Sequence, residues 1–333
     1  YHKALSRYSY LLGLLGLILL ALPLVWPQPP GYEDARIWLW LGPFSIQPGE
    51  FSKILLLIFF AQLLAQKRAL FTVAGRRILG LTLPRLRDLA PILMVWAIAI
   101  LIMAVSNDFG PALLLFATVL GMVYFATGRA SWLAIGLALV AIGGYAVYQV
   151  SSKIQERVSN FLDPFADFEG IGNQPANALI GLSWGGITGT GLGYGHPELV
   201  PVAHSDYILA AVGEELGFVG IAAVLCLFGV FITRGFRTAM QARDSYGKLL
   251  ASGLALTIAI QIFVVAGGVS AMLPMTGLTT PFMSAGGSSV MANYILLGLL
   301  LRISNSANRP ADYDAVAAGT AQRLGQAEVV GAR

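Results

Sequence analysis

The residues most able to do chemistry in this chain are carboxylates at the start of a long apolar run. Asp206 ends the polar stretch 201–206, and the apolar run 207–233 follows at once with only two charges, Glu214 and Glu215. Carboxylates in or near lipid are costly, and they usually carry protons or bind ligands. Asp206 could cap its helix or act as a catalytic base. Glu214 and Glu215 could form a proton relay or could hydrogen-bond to neighbouring helices.

Three further charged residues flank or enter an earlier apolar run. Glu50 and Lys53 stand three residues apart on one helical face, so they can pair with each other or with a bound anion. An interfacial ion pair is the ordinary interpretation. However, Lys53 lies one turn inside the run, which favours a polar cavity. Arg36, beside Trp38 and Trp40, could be a membrane anchor or a bidentate clamp on phosphate.

Other polar residues lie between apolar runs. Asp108 sits where one run ends and the next begins, which predicts a helix cap. Arg157 belongs to an amphipathic interfacial helix or to a ligand site, and Gln174 makes a structural hydrogen bond or faces that site. The glycine-rich run 186–195 could form an anion-binding nest of backbone N–H groups or a tightly turned loop.

A metal site is a further candidate. His196 and His204 share one loop with Glu198 and Asp206, which would offer oxygen and imidazole ligands. Their spacing matches no metal signature, and solvated loop histidines are the simpler interpretation.

The last apolar run opens on Gly-Gly-Ser-Ser, which includes Ser288 and Ser289. Small residues in a membrane helix allow close helix packing. Alternatively, the run is a broken helix whose free N–H groups face an anionic head group. The pattern alone leaves both interpretations open.

Composition indicates an all-α integral membrane protein. The chain is 56% hydrophobic and 11% charged, with a mean hydropathy of +0.72, and an apolar run of about 20 residues can cross a bilayer as a helix. Eight runs predict eight transmembrane helices: 9–26, 51–65, 89–105, 109–126, 131–150, 207–233, 249–268 and 281–301. The second run is short, which predicts a tilted helix or one that opens into a polar cavity.

Basic residues set the predicted orientation. If the spans alternate, nearly all Lys and Arg residues outside them fall on one side, whereas the other side holds only Arg36, Lys153 and Arg157. The positive-inside rule then places both termini in the cytoplasm and Asp206 outside. The predicted organisation is a membrane domain over 1–304, with a large extracytoplasmic loop at 151–205, and a disordered tail over 305–333. The net charge of +4 comes from the cytoplasmic loops and does not indicate nucleic-acid binding. The single cysteine excludes an intrachain disulfide.

Eight blocks in a fixed order resemble one family. They are Ala35-Arg36-Ile37-Trp38, Gln47-Pro48-Gly49-Glu50-Phe51-Ser52-Lys53, Asn107-Asp108-Phe109-Gly110, Gly189-Thr190-Gly191-Leu192-Gly193, His204-Ser205-Asp206-Tyr207-Ile208, Gly213-Glu214-Glu215-Leu216-Gly217, Leu273-Pro274-Met275-Thr276-Gly277 and Ser284-Ala285-Gly286-Gly287-Ser288-Ser289. Together they resemble the SEDS family (shape, elongation, division and sporulation), and in detail its actinobacterial RodA branch more than FtsW. The resemblance covers nearly all of residues 1–304. Val202, Ser205 and Ala285 depart from the family pattern, and the first of these removes a possible acidic ligand.

The resemblance implies a ten-helix fold, of which this chain would hold the third to the tenth helix. It also implies a peptidoglycan glycosyltransferase that joins lipid II disaccharides into β-1,4 glycan at the outer face of the bacterial cytoplasmic membrane. The essential acid would be Asp206. Other polar residues would surround the same cavity: Lys53, Glu50, Arg36, Glu198, Arg157, Gln174, Asp108, His204, Ser205, Ser288 and Ser289.

Partners and cofactors follow from the same resemblance. It implies lipid II, the nascent glycan strand, membrane lipids, a class B penicillin-binding protein and other elongation or division machinery. A divalent cation, Mg or Mn, could assist, with Asp206 and Glu198 as the candidate ligands. Two alternatives stay open: a lipid II flippase that uses Lys53, Glu214 and Glu215 as a charged track, and a non-catalytic scaffold for a transpeptidase.

Overall fold

The computed structural model describes residues 2–29, 36–73, 75–78, 81–84 and 86–308. The helices are α1 (His2–Arg7), α2 (Ser9–Val25), α3 (Pro48–Val73), α4 (Leu86–Val105), α5 (Phe109–Thr127), α6 (Ser131–Val150), α7 (Ser152–Leu162), α8 (Asn173–Gly185), α9 (Ile208–Gln241), α10 (Ser245–Val269) and α11 (Gly287–Asn308), with a 3-10 turn at Pro197–Leu199. Two antiparallel hairpins pair β1 (Leu39–Leu41) with β2 (Phe44–Ile46) and β3 (Gly75–Ile78) with β4 (Leu81–Pro84).

The helices are those of a multi-pass membrane protein. In the described part of the chain, six are long and apolar enough to cross a membrane: α3, α5, α6, α9, α10 and α11. Ser9–Val25 and Ala90–Val105 are also apolar but shorter. Each predicted run therefore contains a helix, which confirms the all-α class, while the number of crossings stays a prediction.

Two helix boundaries differ from those predicted. The second run is not short, because α3 extends from Pro48 to Val73 and carries polar residues in its later turns. Pro48 suits the first helical position, since its missing N–H has no partner there in any helix. The last helix begins at Gly287 and not at 281. Phe282 has a φ of 63°, a left-handed conformation that no helix accommodates.

The predicted loop and tail are described in part. The region 151–205 contains α7, α8 and the 3-10 turn, so it is largely ordered into short elements. Helix α11 continues to Asn308, four residues into the predicted tail, and residues 309–333 lie outside the described residues.

The core lies where α3, α5 and α10 pack together. Phe60 and Leu64 on α3, and Leu254 and Ile258 on α10, are fully buried. Small residues bring helices close: an added Cβ at Gly253 of α10 would lie 2.7 Å from a methionine sulfur on α5. Packing of this kind is how membrane helices associate, since burial of apolar surface gains little in lipid. The three helices therefore form the frame on which the polar residues are mounted.

Helix α9 is broken at Gly217, where φ is 67° and ψ is −168°. This backbone region is essentially open to glycine alone. The break frees carbonyl oxygens of the preceding turn, and the glycine-rich loop supplies their donors. Thr190 N donates to the Glu214 oxygen at 3.0 Å, and Gly191 N donates to the Glu215 oxygen at 3.0 Å. The loop therefore completes the hydrogen bonding of the broken helix.

The carboxylates of Glu214 and Glu215 bind the same loop. Glu214 Oε1 accepts from the backbone N–H of His196 at 2.6 Å, and Glu215 Oε1 accepts from that of Gly193 at 3.1 Å. Two N–H groups of the loop region therefore bind the protein's own carboxylates. These contacts favour the structural interpretation of both glutamates over a proton relay.

Candidate active site

Asp206 lies immediately before α9, and its carboxylate does not cap that helix. The N-cap position belongs to Tyr207, and no side chain makes a capping hydrogen bond there. Asp206 Oδ1 instead accepts a hydrogen bond from Ser205 Oγ at 3.0 Å. The N-cap interpretation of Asp206 is therefore wrong.

The backbone before Asp206 is tied to the irregular segment that precedes α11. Ser284 Oγ donates to the carbonyl oxygen of Ser205 at 2.6 Å, and Ala285 N donates to that of His204 at 2.8 Å. Both residues before Asp206 are thus anchored through their carbonyl groups. The side chain of His204 is exposed. Its contribution in this structure is the carbonyl group.

Arg157, on α7, brings a positive charge to Asp206. Its Nη1 donates to the carbonyl oxygen of Thr276 at 2.8 Å. An added Cβ on Gly277 would lie 3.1 Å from Arg157 Nη2 and 3.8 Å from Asp206 Oδ2, so both side chains face the same glycine. Residues far apart in the sequence therefore form one charged group.

Burial and charge act in opposite directions on this group. Burial raises the pKa of Asp206, while the hydrogen bond from Ser205 and the charge of Arg157 oppose that rise. Burial likewise lowers the pKa of Arg157, and the charges of Asp206 and Asp108 oppose it. A carboxylate with a raised proton affinity is better suited to accept a proton from a hydroxyl near neutral pH.

Asp108 is a second half-buried carboxylate near Arg157. It occupies the N-cap position of α5, but its side chain makes no capping hydrogen bond, so the predicted capping role is wrong. Burial raises its pKa from 3.8 to about 6, and the charge of Glu50 adds to this, whereas Lys153 and Arg157 oppose it. Asp108 therefore belongs to the same charge cluster as Asp206.

Glu50 and Lys53 form a buried ion pair in the first turns of α3. Lys53 Nζ donates to Glu50 Oε2 at 2.6 Å, and the two residues are only 6% and 8% exposed. This is not an ion pair that snorkels at an interface. The effect of Glu50 on Asp108 shows that the pair adjoins the cluster. Lys53 is bound by Glu50 and balances its charge.

A small cavity opens onto Asp206. Its volume is about 150 Å³. A reacting hydroxyl could reach Asp206 there. The polar lining residues are Asp206, Arg157, Asn160, Gln174 and Tyr207. Gln174 therefore lies at the same cavity as Asp206.

Two larger clefts adjoin the region. An apolar groove of about 590 Å³ between α8, α9 and α10 shares Val269 and Leu273 with the small cavity. A cleft of about 800 Å³ lies between the α4–α5 and α6–α7 connections, and its polar lining includes Asn107, Lys153 and Glu156. Hydrocarbon and polar groups can therefore both approach the charge cluster from the surface.

Two predicted site residues lie at the surface. Arg36 is exposed and donates from Nη1 to the Leu24 carbonyl oxygen at 3.3 Å. Glu198 is exposed, and its Oε1 lies 3.0 Å from His196 Nδ1. The hydrogen bond from His196 lowers the pKa of Glu198. Neither residue lines the small cavity beside Asp206.

Ser288 and Ser289 join elements near the start of α11. Ser288 Oγ accepts from the backbone N–H of Gln47 at 3.0 Å, just before α3. Ser289 Oγ lies 2.8 Å from Thr279 Oγ1. Ser288 therefore joins α11 to the segment before α3, and Ser289 joins α11 to the irregular segment 270–286.

A metal site has no support among the described residues. They contain no group of three or more His, Cys, Asp or Glu residues that could hold a metal ion. Of the two candidate ligands, Asp206 is partly buried and Glu198 is exposed and bound to His196.

The structure adds residues that carried no assigned role. Thr276 contributes its backbone carbonyl, Gly277 its lack of a side chain, and Lys153 and Tyr207 their proximity to the two carboxylates. Burial, together with the charge of Asp206, raises the pKa of Tyr207 to about 12. Tyr207, Thr276 and Gly277 were visible within sequence blocks, but a Pro-to-Gly turn does not reveal what its carbonyl binds.

Comparison with known proteins identifies the family. The model of the cell cycle protein family of FtsW, RodA and SpoVE matches residues 1–309. The chain belongs to the FtsW/RodA/SpoVE family. It is 54% identical over 310 residues to the peptidoglycan glycosyltransferase RodA of Mycobacterium tuberculosis, covering 93% of this chain and 66% of that protein. This family member thus spans slightly less than two thirds of the length of that relative.

Two solved structures resemble this family member along most of its length. A chain from "Structural coordination of polymerization and crosslinking by a peptidoglycan synthase complex" is 30% identical, with a TM-score of 0.73 and coverage of 92% of this chain and 84% of that one. RodA of Thermus thermophilus is 26% identical, with a TM-score of 0.62 and coverage of 92% and 81%. These matches confirm both the fold class and the family.

The buried ion pair of this family member predicts a compensating double substitution. Lys53→Met leaves Glu50 buried without its cation, which should lower the free energy of unfolding by about 3 kcal/mol. Glu50→Gln together with Lys53→Met removes both charges and should recover most of that loss. Thermal unfolding in detergent measures all three proteins. A double variant that is no more stable than Lys53→Met would show that the two side chains do not act as a pair.

The pKa of Asp108 predicts a pH-dependent stability. The folded state holds this proton more tightly than the unfolded chain, so stability falls as pH rises from 3.8 to about 6. The loss above that window is about 3 kcal/mol, since each pKa unit corresponds to ~1.4 kcal/mol. Asp108→Asn removes the titration, so it should be more stable than the parent protein at pH 7 to 8.

The matched control for Asp108→Asn is Glu156→Gln, which alters an exposed carboxylate of α7. Thermal unfolding in detergent between about pH 4 and 8 provides the measurement. The control should follow the parent protein throughout. An Asp108→Asn profile that also follows the parent would contradict the raised pKa.

Proposed function

We propose that this chain polymerises peptidoglycan: it joins lipid II disaccharides into β-1,4 glycan strands and releases undecaprenyl pyrophosphate. The observation that carries the proposal is a half-buried carboxylate, Asp206, beside Arg157 at a cavity, in a chain whose relative is named a peptidoglycan glycosyltransferase. The reaction takes place at the outer face of the cytoplasmic membrane. The predicted orientation supports this location, because Asp206 lies on the side that is poor in Lys and Arg.

In the proposed step Asp206 is the general base. One Asp206 oxygen takes the proton from the 4-hydroxyl of the acceptor sugar as that hydroxyl oxygen bonds to the anomeric carbon of the donor. The bond from that carbon to the pyrophosphate oxygen breaks, and undecaprenyl pyrophosphate leaves with the electron pair. Proton transfer to a positioned base typically contributes about 100- to 10,000-fold.

The other charged residues compensate charge around Asp206, and these roles differ from those that the sequence suggested. Lys53 is bound to Glu50 and Arg36 lies at the surface, so neither is assigned to the pyrophosphate. Arg157 is placed to keep Asp206 ionised between turnovers. Asp108 and the Glu50–Lys53 pair balance the charge around it. A divalent cation at the leaving group is not assigned to any residue.

Substrate entry is assigned to the apolar groove beside the cavity and to the polar cleft beside Asp108. The apolar groove of about 590 Å³ suits a hydrocarbon chain, while the cleft with Lys153 and Asn107 suits a polar head group.

A class B penicillin-binding protein is the proposed partner. One structural neighbour comes from a complex described as coordinating polymerisation and crosslinking. The similarity to RodA supports a role in cell elongation and shape.

The flippase alternative gains no support from the described contacts. It required Glu214 and Glu215 as part of a charged track, yet both carboxylates accept hydrogen bonds from the backbone of residues 193 and 196. Lys53, the third member of that track, is bound to Glu50.

Purified protein given lipid II in detergent, with a class B penicillin-binding protein present, tests the proposal. No bilayer remains to cross, so any glycan reports polymerisation, and gel electrophoresis measures its amount. Asp206→Ala should lower the rate at least ~100-fold. Glu198→Gln, a change at an exposed carboxylate, should not lower it. Absence of glycan from the parent protein, or full activity of a folded Asp206→Ala, would overturn the proposal.

A further inference from the structure

We infer that the turn at Thr276 and Gly277, held by Gly110 of α5, is a positioning element that fixes Arg157 against Asp206. The inference rests on the proposed function and deepens it, because it names which residues set the base. No residue of this element touches the reacting atoms in the proposed step. The element acts through the place it gives to one guanidinium group.

The turn binds Arg157 through its backbone. The carbonyl oxygen of Thr276 accepts from Arg157 Nη1 at 2.8 Å, which uses one of the five guanidinium N–H groups. A neutral acceptor holds the group without cancelling its charge. That charge is then available to the carboxylates of Asp206 and Asp108, which face Arg157 from the starts of α9 and α5.

Gly277 keeps open the space between Arg157 and Asp206. Its φ of +74° is a conformation that residues with a side chain rarely adopt. A Cβ there would lie 3.1 Å from Arg157 Nη2, inside the ~3.5–4.0 Å of an ordinary contact. The same atom would lie 3.8 Å from Asp206 Oδ2. A side chain at this position would therefore displace the guanidinium from the place it holds beside the carboxylate.

Gly110 supports the other side of the turn. An added Cβ at Gly110 would lie 2.5 Å from the carbonyl oxygen of Thr276 and 3.3 Å from the side chain of Leu278. The start of α5 therefore lies close against the carbonyl group that binds Arg157, with no room for a side chain between them. Gly110 is also two residues from Asp108, so α5 supplies both a carboxylate for Arg157 and the support for its acceptor.

Together, these contacts determine the distance between Arg157 and Asp206. Arg157 is the cation that opposes the effect of burial on Asp206, and Tyr207 is the other titratable group near both. If the guanidinium moves away, Asp206 holds its proton to a higher pH. The element thus sets how much of the base is ionised at neutral pH.

Reactivity with dicyclohexylcarbodiimide tests the inference, since this reagent modifies protonated carboxyl groups in apolar surroundings. Mass spectrometry measures modification of Asp206 as pH varies, at equal reagent and time. At the pH where the parent protein is half modified, Arg157→Gln should be modified almost completely. Gly277→Ala and Gly110→Ala should shift the profile in the same direction.

Two glycine substitutions without nearby atoms are the controls. Gly128→Ala carries the same penalty of positive φ, at +68°, and Gly298→Ala lies inside a helix; neither Cβ would have a neighbour within 4 Å. Both should keep the parent profile. If the shift came from general destabilisation of the protein, the two controls would shift in pH as Gly277→Ala and Gly110→Ala do.

A double substitution shows whether Gly277→Ala acts by moving Arg157 or by a general effect on the structure. If Gly277→Ala acts through Arg157, then adding it to Arg157→Gln should produce no further shift. Gly110→Ala provides the same comparison should Gly277→Ala fail to fold. Parent-like profiles for the folded glycine variants, or shifts that add to that of Arg157→Gln, would overturn the inference.

The measurement separates this inference from the proposed function. Modification of Asp206 requires no turnover, so the predicted shifts without any glycan product would leave the positioning intact and refute the polymerase. Glycan synthesis that depends on Asp206, with parent-like modification of the glycine variants, would support the polymerase and refute the positioning.

Discussion

The structure around Asp206 depends on the cost of burying charge. A carboxylate removed from water needs a compensating charge and hydrogen bonds, or it takes up a proton. Here Asp206 and Asp108 both face Arg157, while Glu50 is neutralised by Lys53 at 2.6 Å. The result is a cluster of three carboxylates and two cations, Arg157 and Lys53, with a third cation, Lys153, at its edge. The raised pKa values show that this compensation is incomplete, which leaves a carboxylate able to accept a proton.

Irregular backbone brings these charges together. The cluster draws on the starts of α3, α5 and α9, on α7, and on the turn before α11, and glycine permits the closest approaches. The break of α9 at Gly217 follows the same rule, because the glycine-rich loop binds the carbonyl groups that the break exposes. In a membrane protein such backbone persists only where its polar groups are satisfied within the protein. The irregular segments therefore belong to the site as much as the side chains do.

The sequence revealed the class, the apolar helices and most of the charged residues, because isolated charges in apolar runs are conspicuous. It also placed Gln174 at the cavity of Asp206. It could not decide between capping and charge compensation for Asp108 and Asp206, since both roles use the same residue at the same helix start. Nor could it show that Thr276 binds Arg157, because the bond uses a backbone carbonyl, which every residue type carries. Arg36 and Glu198 were predicted at the cavity through resemblance, whereas their contacts lie at the surface.

Chemical rescue tests the central claim, that a carboxylate held beside Arg157 is the base. Asp206→Ala vacates the site of the carboxylate, and added formate supplies a small one from solution. Glycan synthesis from lipid II in detergent should return in part with formate in Asp206→Ala, and should not return in Asp206→Ala combined with Arg157→Gln. A folded Asp206→Ala that polymerises at the parent rate without formate would contradict the claim.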